Sequence, residues 1–281
     1  MIPATLGILG LGALGGSIAR RAKLAGVRTV LGWAPEPVAR GVAARQGAID
    51  DALPDPRTVA ERAELVVVAL PLPPTLTLLP SLAAIRSDAW ITDTAPVKRA
   101  VVSAAERAGL GGRFAGSHPL VRWDGGFDQS RADLLCHATV YVTSTAAGER
   151  AAREIADFWE SVCEAHTVTL DPDAHDAQMA LIEQLPQATA ALLARLLADR
   201  LPTGTALGSA ARDTTRAMLA DPAQLTEALL ANRDHVRAVL AALQGPLGAL
   251  DRALEEGSVP AVREWLGTAA AWRRRLEERP R

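Results

Sequence analysis

The run "GLGALG", Gly10 to Gly15, stands between the apolar stretch "TLGIL" and the helical stretch "GGSIARRAKLAG". Few patterns restrict a fold more, because three glycines at this spacing serve three separate steric needs. The first allows a tight turn out of a strand, the second lets phosphate oxygens approach the backbone, and the third lets the next helix pack against the strand. The unpaired amides of the helix N-terminus then point at an anion. The expected site is for a dinucleotide, built from Gly10, Leu11, Gly12, Ala13, Leu14 and Gly15.

Beyond this unit the chain keeps alternating strand and helix. "RTVLGW", "LVVVAL", "AWITDT", "GRFAGS" and "TVYVTST" read as strands, most of them separated by helical segments. Apolar runs of this kind suit a parallel sheet covered on both faces. From "DPDAHD" onward only helical patterns occur, expected over 174–199, 207–219, 222–243, 247–256 and from 260 to the end, with "LPTG", "DP", "QGP" and "EGSVP" as stops and starts. The predicted class is α/β, an N-terminal Rossmann-type doubly wound parallel sheet with a C-terminal all-helical domain. The expected division is a dinucleotide-binding domain over 1–170 and a helical substrate-binding and dimerisation domain over 171–281.

Charge narrows the function classes. The formal net charge of -2 offers no basic surface for nucleic acid. Apolar runs fall short of a membrane span, and the glycine-rich N-terminus lacks the basic flank of a secretion signal, so a cytoplasmic protein is expected. Cys136 and Cys163 lack metal-ligand spacing and read as small apolar residues in a reduced compartment; no metal is expected.

Chemistry is expected at the carboxyl ends of the strands. The second strand ends in "LGWAPEP", where a carboxylate would favour NAD and an arginine NADP. Ala34 offers neither, Glu36 is a substitute carboxylate, Arg40 a phosphate partner and Trp33 a packing surface for adenine, although all three also suit an ordinary surface loop. The cofactor is read as NAD or NADP, with a lean to NAD. Leu70 and Pro71 follow the "VVV" strand where the chain would pass the nicotinamide half, and Asp93 reaches the same edge. Lys98 suits a catalytic group or, because a charge just inside a helix is ordinarily exposed, a structural or helix-end role, and the second is the expectation.

His118, fixed by Pro119 after the strand "GRFAG", suits a base for a substrate hydroxyl because imidazole titrates near neutrality; the position equally suits a loop histidine satisfied by backbone groups. Arg212 and Arg216 in "RDTTR" share a helix face, where either offers a fork of donors to a carboxylate or simply faces water.

In this order the fragments "GxGxxGxS", "LVVVALP", the "D…VK" of Asp93 to Lys98, "HP" at His118, "HD" at His175 and Asp176, "LP" at Leu185 and "RDTTR" resemble the prephenate/arogenate dehydrogenase family of tyrosine biosynthesis. The resemblance implies NAD- or NADP-dependent oxidative decarboxylation of a cyclohexadienol to an aromatic product. His118 would hydrogen-bond the ring hydroxyl, Arg216 would hold a substrate carboxylate, and the helical domains would pair in a homodimer.

Against the family pattern, the two histidines usual around "LP" are Gln184 and Gln187 here, the serine that orients the catalytic histidine is Pro96, and "HPMAG" becomes "HPLVRW", adding Arg122 and Trp123. Gln184, Gln187, Pro96, Arg122, Trp123 and Arg212 are therefore expected at the substrate. Glutamine cannot carry a positive charge to an anionic substrate. These departures leave two alternatives: a dehydrogenase for a related substrate such as 4-amino-4-deoxyprephenate in specialised metabolism, or a non-catalytic dinucleotide-binding paralogue.

Overall fold

The computed structural model describes residues 2–85, 87–122 and 125–278. β1 (Thr5–Leu9), α1 (Ala13–Leu24), β2 (Thr29–Trp33), α2 (Pro37–Arg45), β3 (Asp51–Ala52), α3 (Pro56–Arg62), β4 (Leu65–Val68), α4 (Leu72–Ala83) and β5 (Trp90–Asp93) form a five-stranded sheet in the order β3-β2-β1-β4-β5. Every pairing in it is parallel. The order reverses about β1, the topological switch point at which such sheets hold ligands. Leu6, Ile8, Val30, Leu65 and Val67 pack into a core on one face, and Leu9, Leu31, Val66, Val68 and Ile91 into a core on the other.

After α5 (Arg99–Arg107) the chain departs from a simple continuation of that sheet. β6 (Ala115–Pro119) and β7 (Thr139–Ser144) pair antiparallel. Beyond α6 (Glu149–Cys163), β8 (His166–Thr169) pairs parallel with β7, so these strands form a sheet of their own. Among the described residues no α-helix separates β6 from β7, and an antiparallel pair needs none. A single parallel bridge, Ile91 to Phe114, joins the start of β6 to β5. Phe158 and Trp159 of α6 are fully buried, which fixes the second sheet to the first core.

The helical half begins with α7 (Pro172–Met179), capped by the Asp171 carboxylate, which accepts from the Asp173 and Ala174 amides. One continuous helix is expected over 174–199; a π-helical turn, Ala180–Gln184, instead separates α7 from α8 (Leu185–Arg200). Pro186 has no N–H to give the carbonyl four residues back, and a widened turn accommodates that loss. α9 (Ser209–Thr215) and a 3-10 turn (Arg216–Leu219) precede α10 (Pro222–Ala231) and α11 (Arg233–Ala242). The expected helix over 222–243 breaks at Asn232, whose side chain is committed to other helices. α12 (Gln244–Glu255) and α13 (Val259–Glu277) complete the chain. By contact, residues Met1–Arg233 form one compact unit and Asp234–Arg281 another. Among the described residues no helix is long and apolar enough to cross a membrane.

Candidate active site

The glycine turn shows a cradle formed by backbone contact. Gly10 has φ +110°, and a Cβ there would lie 2.1 Å from the Ala69 carbonyl oxygen; a Cβ on Gly15 would lie 1.8 Å from that of Gly10. A Cβ on Gly12 would meet nothing within 4 Å, so open space lies over the start of α1. No side chain caps that helix and its first turn carries no acid, which leaves its amides to an anion. Leu11, Ala13 and Leu14 are buried beneath it. These residues fit the pyrophosphate of a dinucleotide.

Around this turn, half-buried Leu70 lies against Gly10, and exposed Pro71 stands at the start of α4. Half-buried Trp33 donates its indole N–H to the Pro54 carbonyl at 3.1 Å. Glu36 is exposed at the start of α2 and makes no cap bond, while Arg40 Nη1 donates to the Ala34 carbonyl at 2.7 Å.

Asp93 ends β5 fully buried, with its oxygens committed inside the protein. Lys98 Nζ donates to both of them at 2.8 and 2.7 Å, and the Ala95 and Ser117 amides donate to them as well. The expectation that Lys98 is exposed is wrong: it is fully buried, because Asp93 compensates its charge and the Ser117 carbonyl accepts a further bond at 2.6 Å. Burial pulls the Lys98 ammonium below its ordinary pKa, against the opposing pull of Asp93. The pair thus ties the turn after β5 to the backbone one residue before His118. The Ser117 hydroxyl adds bonds with Thr92 Oγ1 at 2.7 Å and Trp159 Nε1 at 2.8 Å.

His118 itself, on β6, is almost fully buried, and its Nδ1 lies 3.1 Å from Nε2 of His175 on α7. His175 Nδ1 lies 2.8 Å from Asp176 Oδ1. The Lys98 amide donates to Asp176 Oδ1 at 2.7 Å and the Arg99 amide to Oδ2 at 3.0 Å. Burial works against the Asp176 charge, yet the His175 bond and these amides outweigh it and hold the carboxyl below its usual pKa. An ionised Asp176 accepts only, so His175 carries its proton on Nδ1 and presents a bare Nε2. His118 must then donate from Nδ1, which leaves its own Nε2 as a lone pair. Burial first, then His175 and Lys98, hold His118 well below the ordinary imidazole pKa, so it is neutral at pH 7. Burial likewise lowers His175. The chain Asp176–His175–His118 delivers an unprotonated Nε2, the state a hydrogen-bond acceptor or base requires.

Facing that nitrogen is Glu183, on the π turn, with Oε2 3.6 Å from His118 Nε2. Burial pushes its carboxyl up to about 7. The neighbouring Gln184 is buried and turned the other way: Asn232 Nδ2 donates to its Oε1 at 2.7 Å, and its Nε2 lies 3.4 Å from the Ala228 carbonyl oxygen. Asn232 also donates to the Asp176 carbonyl and accepts from Arg99 Nη2, so it locks α7, the π turn and α10 together. Gln187 is half-buried one turn on, and Pro96 is half-buried between β5 and α5. Arg122 is exposed after β6, and Trp123 lies outside the described residues. Arg212 and Arg216 are both exposed, with Arg216 Nη2 3.3 Å from Asp213 Oδ1. Among the described residues no group of His, Cys, Asp and Glu is arranged to hold a metal.

Three parts of this site carry no chemical role in the sequence taken alone: His175 and Asp176 form a motif with no assigned function, Glu183 is a carboxylate in an otherwise apolar stretch, and Asn232 lies within an expected helix. The available signals were a charge and an amide on faces that otherwise read as packing.

A model described as "Prephenate dehydrogenase, nucleotide-binding domain" matches residues 18–169, more than half of the chain. The chain belongs to the prephenate dehydrogenase family. A second model of that family, its dimerization domain, matches residues 171–268. Prephenate dehydrogenase of Bacillus subtilis is 27% identical over 250 residues, which is 83% of this chain and 65% of that protein, so the chain spans just under two thirds of the curated relative's length. Among solved structures, prephenate dehydrogenase of A. aeolicus in complex with hydroxyphenyl propionate and NAD+ superimposes with a TM-score of 0.89 at 24% identity, over 97% of this chain and 98% of that one. Synechocystis arogenate dehydrogenase does so with a TM-score of 0.83 at 23% identity, over 97% and 99% of the two chains. At these identities the superpositions establish the fold, a Rossmann-type α/β half followed by helices.

Proposed function

We propose that the protein is a dehydrogenase of the prephenate/arogenate type, carrying out oxidative decarboxylation of a cyclohexadienyl acid to an aromatic product with a nicotinamide dinucleotide. The observation that carries this reading is the neutral His118 Nε2, oriented by His175 and Asp176 in a family member whose glycine turn is open to an anion. When bound, the nicotinamide ring supplies the hydride acceptor. His118 Nε2 accepts a hydrogen bond from the group on the ring carbon that loses hydride, which increases electron release from that group as hydride leaves. The Asp176 charge stabilises positive charge developing on the two imidazoles. Loss of the ring carboxylate then restores aromaticity, so the protein contributes mainly orientation and charge stabilisation. Arg216 is the proposed partner of a substrate carboxylate.

NAD is the proposed cofactor. The Glu36 carboxylate near the end of β2 makes no cap bond, whereas Arg40, the cation suited to a 2′-phosphate, has one guanidinium nitrogen on the Ala34 carbonyl. Residues 1–170 and 171–281 are the proposed nucleotide-binding and substrate-binding domains, supported by the boundaries of the two family models. A homodimer is proposed through the second: α8 buries only Ala190 fully and leaves Leu192 and Leu196 exposed, and α12 and α13 likewise expose Leu254, Leu266 and Trp272. A reducing cytoplasm suits the free cysteines Cys136 and Cys163.

The test is His118→Asn assayed with prephenate and arogenate. Turnover should fall by about 100-fold or more while Kd for NAD+ stays within about twofold. Turnover equal to the parent's removes His118 from the reaction, and a defect confined to cofactor affinity moves this strand to the dinucleotide.

A further inference from the structure

Glu183 is the acidic group that the reaction with a ring alcohol does not need. Oxidative decarboxylation of a cyclohexadienol carboxylate removes hydride from the ring carbon and carbon dioxide from the quaternary carbon. The hydroxyl proton stays on the phenol, so substrate anion plus oxidised cofactor give phenol, carbon dioxide and reduced cofactor with no proton left over. His118 Nε2 suffices as a hydrogen-bond acceptor for that chemistry.

A ring amine changes the balance. An aliphatic amine is an ammonium at neutral pH, and an ammonium has no lone pair to push hydride out. It must first lose a proton to the protein; the free amine then releases hydride from its carbon, and loss of carbon dioxide delivers the electron pair that leaves an aromatic amine. One proton is released per turnover, and before that step a positive charge must be held where a hydroxyl would sit.

This chain has a second acceptor at that place. Glu183 Oε2 lies 3.6 Å from the bare Nε2 of His118, and the π turn that presents it is fixed on its other side by Gln184, Asn232 and Ala228. Among the described residues, the titratable group facing it is neutral His118, with His175 and the Asp176 carboxylate behind that ring. From α10 the side facing the turn brings the uncharged Asn232 and Ala228. A carboxylate beside a lone pair is an arrangement that attracts a cation with N–H donors and gives a neutral hydroxyl a single donor for two acceptors.

We propose that Glu183 and His118 together form a subsite for a protonated amine on the ring carbon that loses hydride, and that the preferred substrate is an amino-cyclohexadienyl acid in which Glu183 holds the ammonium and His118 takes its proton. The proposal rests on the dehydrogenase reading above. Its pH dependence follows from the geometry: the pair needs an ionised Glu183, so amine binding should strengthen as pH rises through about 7, the value to which burial raises this carboxyl.

Binding is read first with two unreactive probes, 3-(4-aminocyclohexyl)propanoate and 3-(4-hydroxycyclohexyl)propanoate, titrated by calorimetry into the protein with NAD+ at pH 8. The amine should bind at least about 10-fold more tightly, and Glu183→Gln should remove most of that difference while changing hydroxyl binding by less than about threefold. Turnover is read next on the amino and hydroxy forms of the cyclohexadienyl substrate. The amino form should show the higher kcat/KM in the parent, release one proton per reduced cofactor and lose at least about 30-fold in Glu183→Gln. Glu183→Asp, which keeps the charge, should retain part of the preference. Equal binding of the probes, or a Glu183→Gln defect of the same size on both forms, overturns the amine subsite. Turnover of the hydroxy form with none of the amino form overturns it while leaving the dehydrogenase reading intact; reduction of no nicotinamide cofactor with either form removes both.

Discussion

His118 Nδ1 and His175 Nε2 lie 3.1 Å apart, and the Asp176 carboxylate beyond them decides which of the two rings carries the proton between them. Family members are expected to orient this histidine by a serine at the position held here by Pro96, whose side chain has no donor or acceptor. The imidazole of His175 is in place to do that work from the helical side.

If Asp176 sets the tautomer, Asp176→Asn should lower kcat by about 100-fold or more while KM and the Kd for NAD+ change by less than about threefold. An amide at that position can donate to His175, reverse the proton direction and leave His118 with a hydrogen on Nε2. A structural loss would lower the active fraction and the melting temperature without this separation of kcat from KM. Parental kcat in the folded variant would sink the orienting role.

Lys98 and Asp93 form a pair with no exposed surface, so losing one partner leaves a buried charge without compensation. Lys98→Met should destabilise the protein by roughly 3–5 kcal/mol, and the double variant Lys98→Met, Asp93→Leu by less than the sum of the singles. Chemical denaturation of the four proteins measures the coupling. Additive losses would show that the pair does not act as a unit.

Glu183 gives a pH signature with a defined sign. Its folded pKa of about 7 exceeds its ordinary value of 4.5, so between these limits the folded state binds more protons and loses stability as pH rises. Glu183→Gln removes the titration. The melting temperature of the variant relative to the parent should rise from pH 4.5 to about 7 and then level off. His118 and His175 act in the opposite direction, since their lowered pKa values cost stability as pH falls below 6.5, and both are present in the variant as in the parent, so a difference that rises with pH reports on Glu183. A constant difference across this range would contradict the raised pKa of Glu183.

Arg216 and Arg212 are both exposed, and the contrast between them tests the carboxylate assignment. Arg216→Ala should mainly raise substrate KM, by about 10-fold or more, because an arginine-carboxylate pair forms in the ground state and the transition state alike. Arg212→Ala should do less. A larger defect in Arg212→Ala would mean that the other arginine holds the substrate.

Local patterns made much of this molecule legible. The glycine turn depends on steric contacts within one strand-turn-helix unit, so Gly10, Gly12 and Gly15 carry their meaning in their spacing. The parallel sheet declares itself through apolar runs that only two-sided burial explains, and the switch to helices through a change of period. Other features joined residues far apart in the chain and were decided by tertiary structure. Lys98 reads as an exposed helix-end charge until Asp93 and the Ser117 carbonyl surround it, and Gln184 reads as a pocket residue until Asn232 accounts for its amide oxygen. The protonation state of His118 follows from a carboxylate 58 residues away acting through His175. Sequence alone determined which chemical groups were present and which local shapes they could take. Their distances, burial and proton positions depended on long-range packing, because hydrogen bonds and desolvation act across space, whatever the separation along the chain.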